Sequence, residues 1–291
     1  MKKDITKNKI NILAGIVLFN PNIDRLVENI NSVITQIDKL LLIDNNSENI
    51  SDIEKIILDK KIEIIKNNQN FGIAKALNQI LEYALDNNYS YFLSLDQDSI
   101  LKENIIEKYK NYIKYKDVAI ITSHYIDLNV ELNTKFSKNK FEYVNFCITS
   151  GSLCNTEILN KLGGFDDYMF IDYVDYDICS TVIENNYKIL KINEIGFYHE
   201  VGKSKKIKFL FFESIVYNHS YTRTYYIIRN MYYYSYKHRK SINTIKMKFR
   251  ILKKKILILL FEKYKIKKLK MIIRAKKDFK SKKKELISNG R

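Results

Sequence analysis

Tyr91-Phe92-Leu93-Ser94-Leu95-Asp96-Gln97-Asp98-Ser99 is an apolar run that ends in two carboxylates two residues apart. A short apolar run bounded by a turn signal predicts a buried strand over residues 90–95. At the carboxyl end of a strand in an open α/β sheet, Asp96 and Asp98 sit where ligands bind. Two hard oxygen ligands at that place suit Mg²⁺ or Mn²⁺ holding a phosphate-bearing substrate. Asp-x-Asp is common, and the same residues read equally as ordinary loop acids. The surrounding chain decides between the two.

Upstream, apolar and β-branched runs predict strands over residues 10–19, 39–43 and 62–65, and downstream over 118–122. Helical patterns lie between them. Pro21 reads as the first position of a helix running to Gln36. Ser51 and Glu54 form a capping-box pattern, and Asn70-Phe71-Gly72 turns the chain into a helix over 73–87. Strand–helix alternation at this spacing predicts an α/β fold with a mostly parallel central sheet flanked by helices. Every strand end carries polar residues: Asn20, Asp44, Asn67-Asn68, then Asp96 and Asp98. That convergence outweighs any single motif. Neither a Gly-x-Gly-x-x-Gly after the first strand nor a P-loop occurs, which disfavours a dinucleotide fingerprint and a P-loop NTPase.

Beyond residue 124 come Ser150-Gly151-Ser152, the turn Gly163-Gly164-Phe165-Asp166-Asp167, and Phe170-Ile171-Asp172-Tyr173-Val174-Asp175-Tyr176-Asp177. On a helix Asp172 and Asp175 would share a face. His199-Glu200-Val201-Gly202 and a tyrosine-rich block, with Arg223 and Arg229, follow.

Of the 291 residues 46% are apolar, enough for a substantial core, and one proline with eight glycines argues against long linkers. The net charge of +17 is unevenly spread. Residues 237–291 hold 22 Lys/Arg against Glu262, Asp278 and Glu285, whereas residues 1–236 hold 28 basic and 30 acidic side chains. Two parts follow: a near-neutral α/β domain over 1–236 and a basic amphipathic helical tail over 237–291. The tail's apolar residues, from Ile251 and Leu252 to Leu269 and Ile273, fall at helical spacing. It reads as a solvated helix, a nucleic-acid patch or a membrane-surface anchor. Anionic lipid attracts each nearby Lys or Arg by about 1 kcal/mol, which favours an anionic membrane surface, with no nucleic acid expected. Cys147, Cys154 and Cys179 show no metal-type spacing and read as reduced core residues. The N-terminus shows no signal-peptide pattern, and the longest apolar run, 256–261, is too short to span a bilayer. A cytoplasmic protein, peripheral on the inner face of the cell membrane, is the expectation.

Taken together, Leu42-Ile43-Asp44-Asn45-Asn46-Ser47, Asn70-Phe71-Gly72-Ile73-Ala74 with Asn78, Leu95–Ser99, Ser150-Gly151-Ser152, Gly163–Asp166 with Phe170–Asp175, His199 and Arg223–Asn230 resemble a family 2 glycosyltransferase of the GT-A (Rossmann-like) fold. They keep their order over roughly residues 10–235. Gln97 and the Phe170–Asp175 string lean towards the rhamnosyltransferases. The resemblance implies metal-dependent, inverting transfer of a sugar, rhamnose from dTDP-rhamnose, to a hydroxyl of a growing surface polysaccharide or lipid-linked glycan. Galactose or galactofuranose donors on the same fold are the alternative, and a nucleic-acid-binding protein acting through its tail is the rival from another class. By the same resemblance Asp175 is the catalytic base, with Asp172 and Asp177 as alternatives. Asp98, Asp96 and His199 hold the Mg²⁺ or Mn²⁺. Asp44, Asn46, Asn70, Asp96, Asp98, Arg223 and Arg229 bind the nucleotide-sugar donor, and Asp172 and Tyr173 meet the acceptor.

Overall fold

The computed structural model describes residues 10–127, 139–199, 205–209, 212–216 and 218–288. The first residues and Glu200-Val201-Gly202 lie outside them. The chain runs β1 (Ile12–Leu18), α1 (Ile23–Ile34), β2 (Lys39–Asp44), α2 (Ile50–Ile56), β3 (Ile62–Lys66), α3 (Gly72–Asp86) and β4 (Tyr91–Asp96). There follow β5 (Ile100–Leu101), α4 (Ile105–Lys110), β6 (Val118–Asp127), β7 (Phe141–Val144), β8 (Ser152–Asn155), α5 (Thr156–Lys161) and α6 (Val174–Glu184). The remainder is β9 (Lys188–His199), β10 (Lys205–Phe209), β11 (Phe212–Val216), α7 (Tyr221–Lys237), α8 (Thr244–Phe261) and α9 (Lys265–Ser288).

The main sheet runs β3-β2-β1-β4-β8-β6-β9-β5, with β7 beside β9. Its first four strands are parallel; β1, β2 and β4 are near-continuous apolar runs because helices cover both faces, while the edge strand β3 is only partly buried. From β8 onward the sheet turns mixed: β8 is antiparallel to β4 and β6, while β6 and β9 are parallel. The parallel half thus matches the sequence pattern, and the mixed half lies where that pattern loosened. Two buried clusters cover the two faces. One centres on Leu26, Ile30 and Tyr109, the other on α3, α5, α6 and α7.

Two local expectations are corrected. Pro21 precedes the cap rather than opening the helix, because Asn22 is the N-cap and accepts from the Arg25 amide. Asn49, not Ser51, holds the N-cap position of α2, without a side-chain bond to the helix, and Ser51 lies inside it. The 236/237 boundary falls in the last turn of α7, and the helices beyond it pack on the preceding residues. Met247, Ile251, Ile258, Ile272 and Ala275 share a core with Ile178 and Ile228. A buried Lys268–Glu262 pair at 2.6 Å locks α8 to α9, and Asn218 Oδ1 accepts from the Lys263 amide at the turn between them.

Candidate active site

The strand register builds one edge of the site. Leu18 lies opposite Asp44, Val17 opposite Asp96, and Asp44 opposite Lys66, so the two acidic strand ends flank β1. Asp44 is buried, and its carboxylate accepts from the Ser47 amide at 3.1 and 3.3 Å. Ser47 Oγ in turn accepts from the Asn20 amide, and Asn20 Oδ1 from the Glu48 amide. This pins the loop after β2 to the end of β1. Asn46 is exposed at φ 65°, a left-handed conformation Asn tolerates well.

Asn45 is buried and ties the loop to α3: it donates to the Gly72 carbonyl and accepts from Asn67 and the Phe71 amide. Asn70 is turned inward on its own segment, its Oδ1 accepting from the Gly72 amide at 2.8 Å. Gly72 is required here, since its φ is +86° and a Cβ would meet the Phe170 carbonyl at 2.5 Å.

At the end of β4, Asp96, Asp98 and His199 converge, with one ligand atom from each lying within 4.8 Å of the others. His199 Nε2 is 3.9 Å from Asp96 Oδ2, and Nδ1 is 3.6 Å from Asp98 Oδ1. His199 arrives from the far end of β9, about one hundred residues downstream, through the β6–β9 ladder that sets it opposite Asp127. Its orientation comes from two serines. Ser99 Oγ lies 3.0 Å from His199 Nδ1 and 2.7 Å from Ser150 Oγ, which accepts from the Asp96 amide. With Nδ1 bonded to Ser99, Nε2 is the nitrogen left for a cation. Asn29 Nδ2 and Arg25 Nε hold the backbone carbonyls of Asp96 and Asp98. Ser99, Ser150 and Asn29 are buried residues whose roles sequence reasoning missed; the serines stood inside motifs it had noted.

Asp96 stands at the end of β4 with 41% of its side-chain surface exposed. Burial raises its carboxyl to about 6, His199 opposes the shift, and the charges of Asp98 and Asp175 add to it. Three carboxylates therefore share one field, which a divalent cation would relieve. Two carboxylates and an imidazole at this separation form a donor set that fits Mn²⁺ or Mg²⁺.

Asp175 sits in the first turn of α6 and accepts from the Thr149 amide at 2.7 Å. Burial raises its carboxyl, the Thr149 amide offsets this, and Asp172 raises it further. Asp172 does not share its helical face: Asp172 and Tyr173 precede α6 in left-handed backbone, at φ 64° and 69°. With Phe170 at φ 57°, three of the four residues 170–173 occupy conformations unfavourable for side-chain-bearing residues. Asp177 is excluded as a base by its partners. It is buried and bonded to Lys237 and His238.

The strained loop is held from both sides. The amides of Ile73 and Ala74, at the start of α3, donate to the Phe170 carbonyl. On the other side Asn230 Nδ2, fully buried, reaches the carbonyls of Met169, Ile171 and Asp172 at 2.6, 2.9 and 2.8 Å. Arg229 is buried beside it, donating to the Tyr168 and Met169 carbonyls with its guanidinium over the Tyr168 and Tyr226 rings. Arg229, expected to bind the donor, spends Nε and Nη2 on Asn230 and the loop, as burial of a guanidinium demands. Arg223 remains at the mouth in a two-pronged pair with Asp172, both contacts 3.0 Å, and its charge reaches Asp96. Tyr173 packs on Tyr176 and Tyr234.

Residues 14–170 match the family model described as glycosyl transferase family 2. A dTDP-rhamnosyl transferase, RfbF of Shigella flexneri, is 27% identical over 242 residues, 76% of this chain and 79% of that protein. The fold is similar to that of S. aureus TarS 1-349 solved with UDP-GlcNAc, at TM-score 0.60 and 13% identity, covering 92% of this chain and 80% of that one. It is also similar to GalNAc-T7 solved with UDP, GalNAc and Mn²⁺, at TM-score 0.56 and 14% identity, covering 84% and 54%.

Proposed function

The chain belongs to glycosyl transferase family 2 and is a rhamnosyltransferase-like glycosyltransferase; from this premise we propose that it moves rhamnose from dTDP-rhamnose to an acceptor hydroxyl with inversion, in a metal-dependent reaction. The observation that carries this is the meeting of Asp96, Asp98 and His199 at a strand end whose field also includes Asp175 and Arg223. The named activity of the Shigella flexneri relative supports the donor.

Asp98, Asp96 and His199 Nε2 would hold Mn²⁺ or Mg²⁺, which when bound offsets the charge that develops on the leaving diphosphate. Asp44 keeps free lone pairs after accepting from the Ser47 amide, and these accept a pyrimidine N–H. Asn46, exposed beside it, completes the nucleoside edge, and Asn70, whose Oδ1 shapes the loop into α3, offers its amide NH2 to the donor. Arg223 leaves Asp172 for the donor diphosphate, for which its planar fork is suited. Asp175 takes the acceptor proton, its raised basicity matched to that task and its carboxylate fixed by the Thr149 amide. Asp172 and Tyr173 line the acceptor side. The acceptor is a glycan or lipid-linked glycan, met at the inner face of the cell membrane by a peripheral protein. Among the described residues no helix is long and apolar enough to cross a membrane.

Thermal-shift measurement with dTDP, UDP and GDP, with and without Mn²⁺, tests the donor reading. Stabilisation by dTDP that needs Mn²⁺ is expected. Equal or stronger stabilisation by UDP would reassign the donor to a galactose-type nucleotide sugar.

A further inference from the structure

The sequence pattern treats the tail's apolar residues as one stripe; the structure separates them into two. Met247, Ile251 and Ile258 of α8 are buried against the core. Ile245, Phe249, Leu252, Ile256 and Leu260 are instead 42–66% exposed. At about 100° per residue these five fall within an arc of about 80°, centred roughly opposite the buried face. Exposed Lys246 and Lys253 border this stripe on one side and exposed Lys248 on the other. Beyond the turn, Tyr264, Ile266 and Ile273 are 62–75% exposed as well. The outward face of α9 then changes to Lys276, Lys277, Lys280 and Lys284. Between residues 244 and 288 the chain carries 18 Lys/Arg against three acids.

We propose that this outward face of α8 and the first turns of α9 is a docking surface for an anionic lipid bilayer, with the apolar stripe entering the headgroup region and the flanking lysines meeting lipid phosphates. Charge selects this occupant. A second copy laid along the same stripe would bring lysine borders against lysine borders, whereas an anionic surface complements them. Tertiary packing already holds the inner face of α8, so docking needs no refolding. The surface also has a bearing on the active site. Arg250 of α8 is near enough for its charge to reach Tyr173, and Lys254 near enough to feel Asp172. Docking α8 therefore holds the acceptor side of the cleft beside the lipid, a consequence that rests on the lipid-linked acceptor proposed above.

Co-sedimentation of the full chain with vesicles of equal parts phosphatidylglycerol and phosphatidylcholine tests the surface. Wild-type protein should bind these vesicles, bind pure phosphatidylcholine vesicles about tenfold less, and dissociate as salt rises. The double variant Phe249→Asp/Leu252→Asp should lose binding about tenfold or more. Ile245→Asp, alone at the helix start, should show a smaller loss in the same direction. Undiminished binding of the double variant would overturn the proposal. So would a wild-type dimer that ignores vesicles and becomes monomeric in the double variant. Thermal stabilisation by dTDP with Mn²⁺ should be the same in wild type and variants. Its absence from all of them would count against the glycosyltransferase reading alone, and vesicle binding would still be judged by itself.

Discussion

Replacing Asn230 by alanine removes one amide that serves three carbonyls, those of Met169, Ile171 and Asp172. It also takes away the acceptor for Arg229 Nε at 3.0 Å and Nη2 at 2.8 Å. Two amide hydrogens cannot serve three acceptors equally, so the loss counts as about two full bonds. Met169 keeps the Arg229 donor, so the loss falls on the Ile171 and Asp172 carbonyls, at about 1–3 kcal/mol each. On the other side, Phe170, Asp172 and Tyr173 in left-handed backbone cost about 1–3 kcal/mol each. Clamp and strain are thus of similar size, and the loop relaxes once the clamp is gone. Relaxation recovers part of the loss, so Asn230→Ala should destabilise by about 2–4 kcal/mol in urea titration, leaving a folded protein. The relaxed loop shifts Asp172 and the entry to α6, where Asp175 sits. Displacing reacting groups by about 1 Å costs about a hundredfold in rate. Binding of dTDP with Mn²⁺, which rests mainly on Asp44, Asp96, Asp98 and His199 and meets this loop only through Arg223, should change by less than about tenfold. The discriminating assay is single-turnover transfer beside dTDP affinity at a temperature where the variant is folded. Transfer at the wild-type rate in the destabilised variant would show that the strained loop has no part in positioning, and would refute the reasoning.

Ser99→Ala removes the partner of His199 Nδ1, and Mn²⁺ affinity measured by thermal shift should fall about tenfold to a hundredfold; an unchanged affinity would mean that packing alone orients the ring. Asp175 has a raised carboxyl in the folded state, so the folded protein holds that proton more tightly than the unfolded chain and loses stability as pH rises through the raised value. Asp175→Asn should therefore keep dTDP binding, melt higher than wild type at neutral pH, and lose transfer. In the wild type the acid limb of the kcat/KM profile should lie above the ordinary carboxylate value, and Asp172→Asn should move it to lower pH. Glu262→Gln leaves Lys268 buried without a counter-charge and should destabilise by about 3–5 kcal/mol in urea, against a near-neutral effect for Glu262→Met/Lys268→Met.

The parallel half of the fold was legible because its strands are buried on both faces and end in polar residues; Asp44, Asp96 and Asp98 sit at those ends as the pattern said. What resisted reading was pairing at long range. Nothing local tells that β9 runs beside β6 and carries His199 back to β4, or that Ser99 and Ser150 join it there. Arg229 suggests phosphate as an arginine in a motif, and its burial under Tyr168 and Tyr226, which depends on how α7 meets the 168–173 loop, was not legible. Asp172 misled because helical spacing was applied across residues whose backbone is left-handed. The tail's two apolar faces differ only in which one α7 and the core cover, which periodicity does not encode.

The account turns on inversion at a metal-dependent site. Incubation with dTDP-rhamnose, Mn²⁺ and a glycan acceptor, followed by NMR assignment of the new anomeric centre, tests it most directly. The account predicts a rhamnoside of configuration opposite to the donor's, formed by wild type, abolished by chelation, and absent with Asp98→Ala and Asp175→Asn. A product of retained configuration, or undiminished transfer by Asp98→Ala in the presence of chelator, would contradict it.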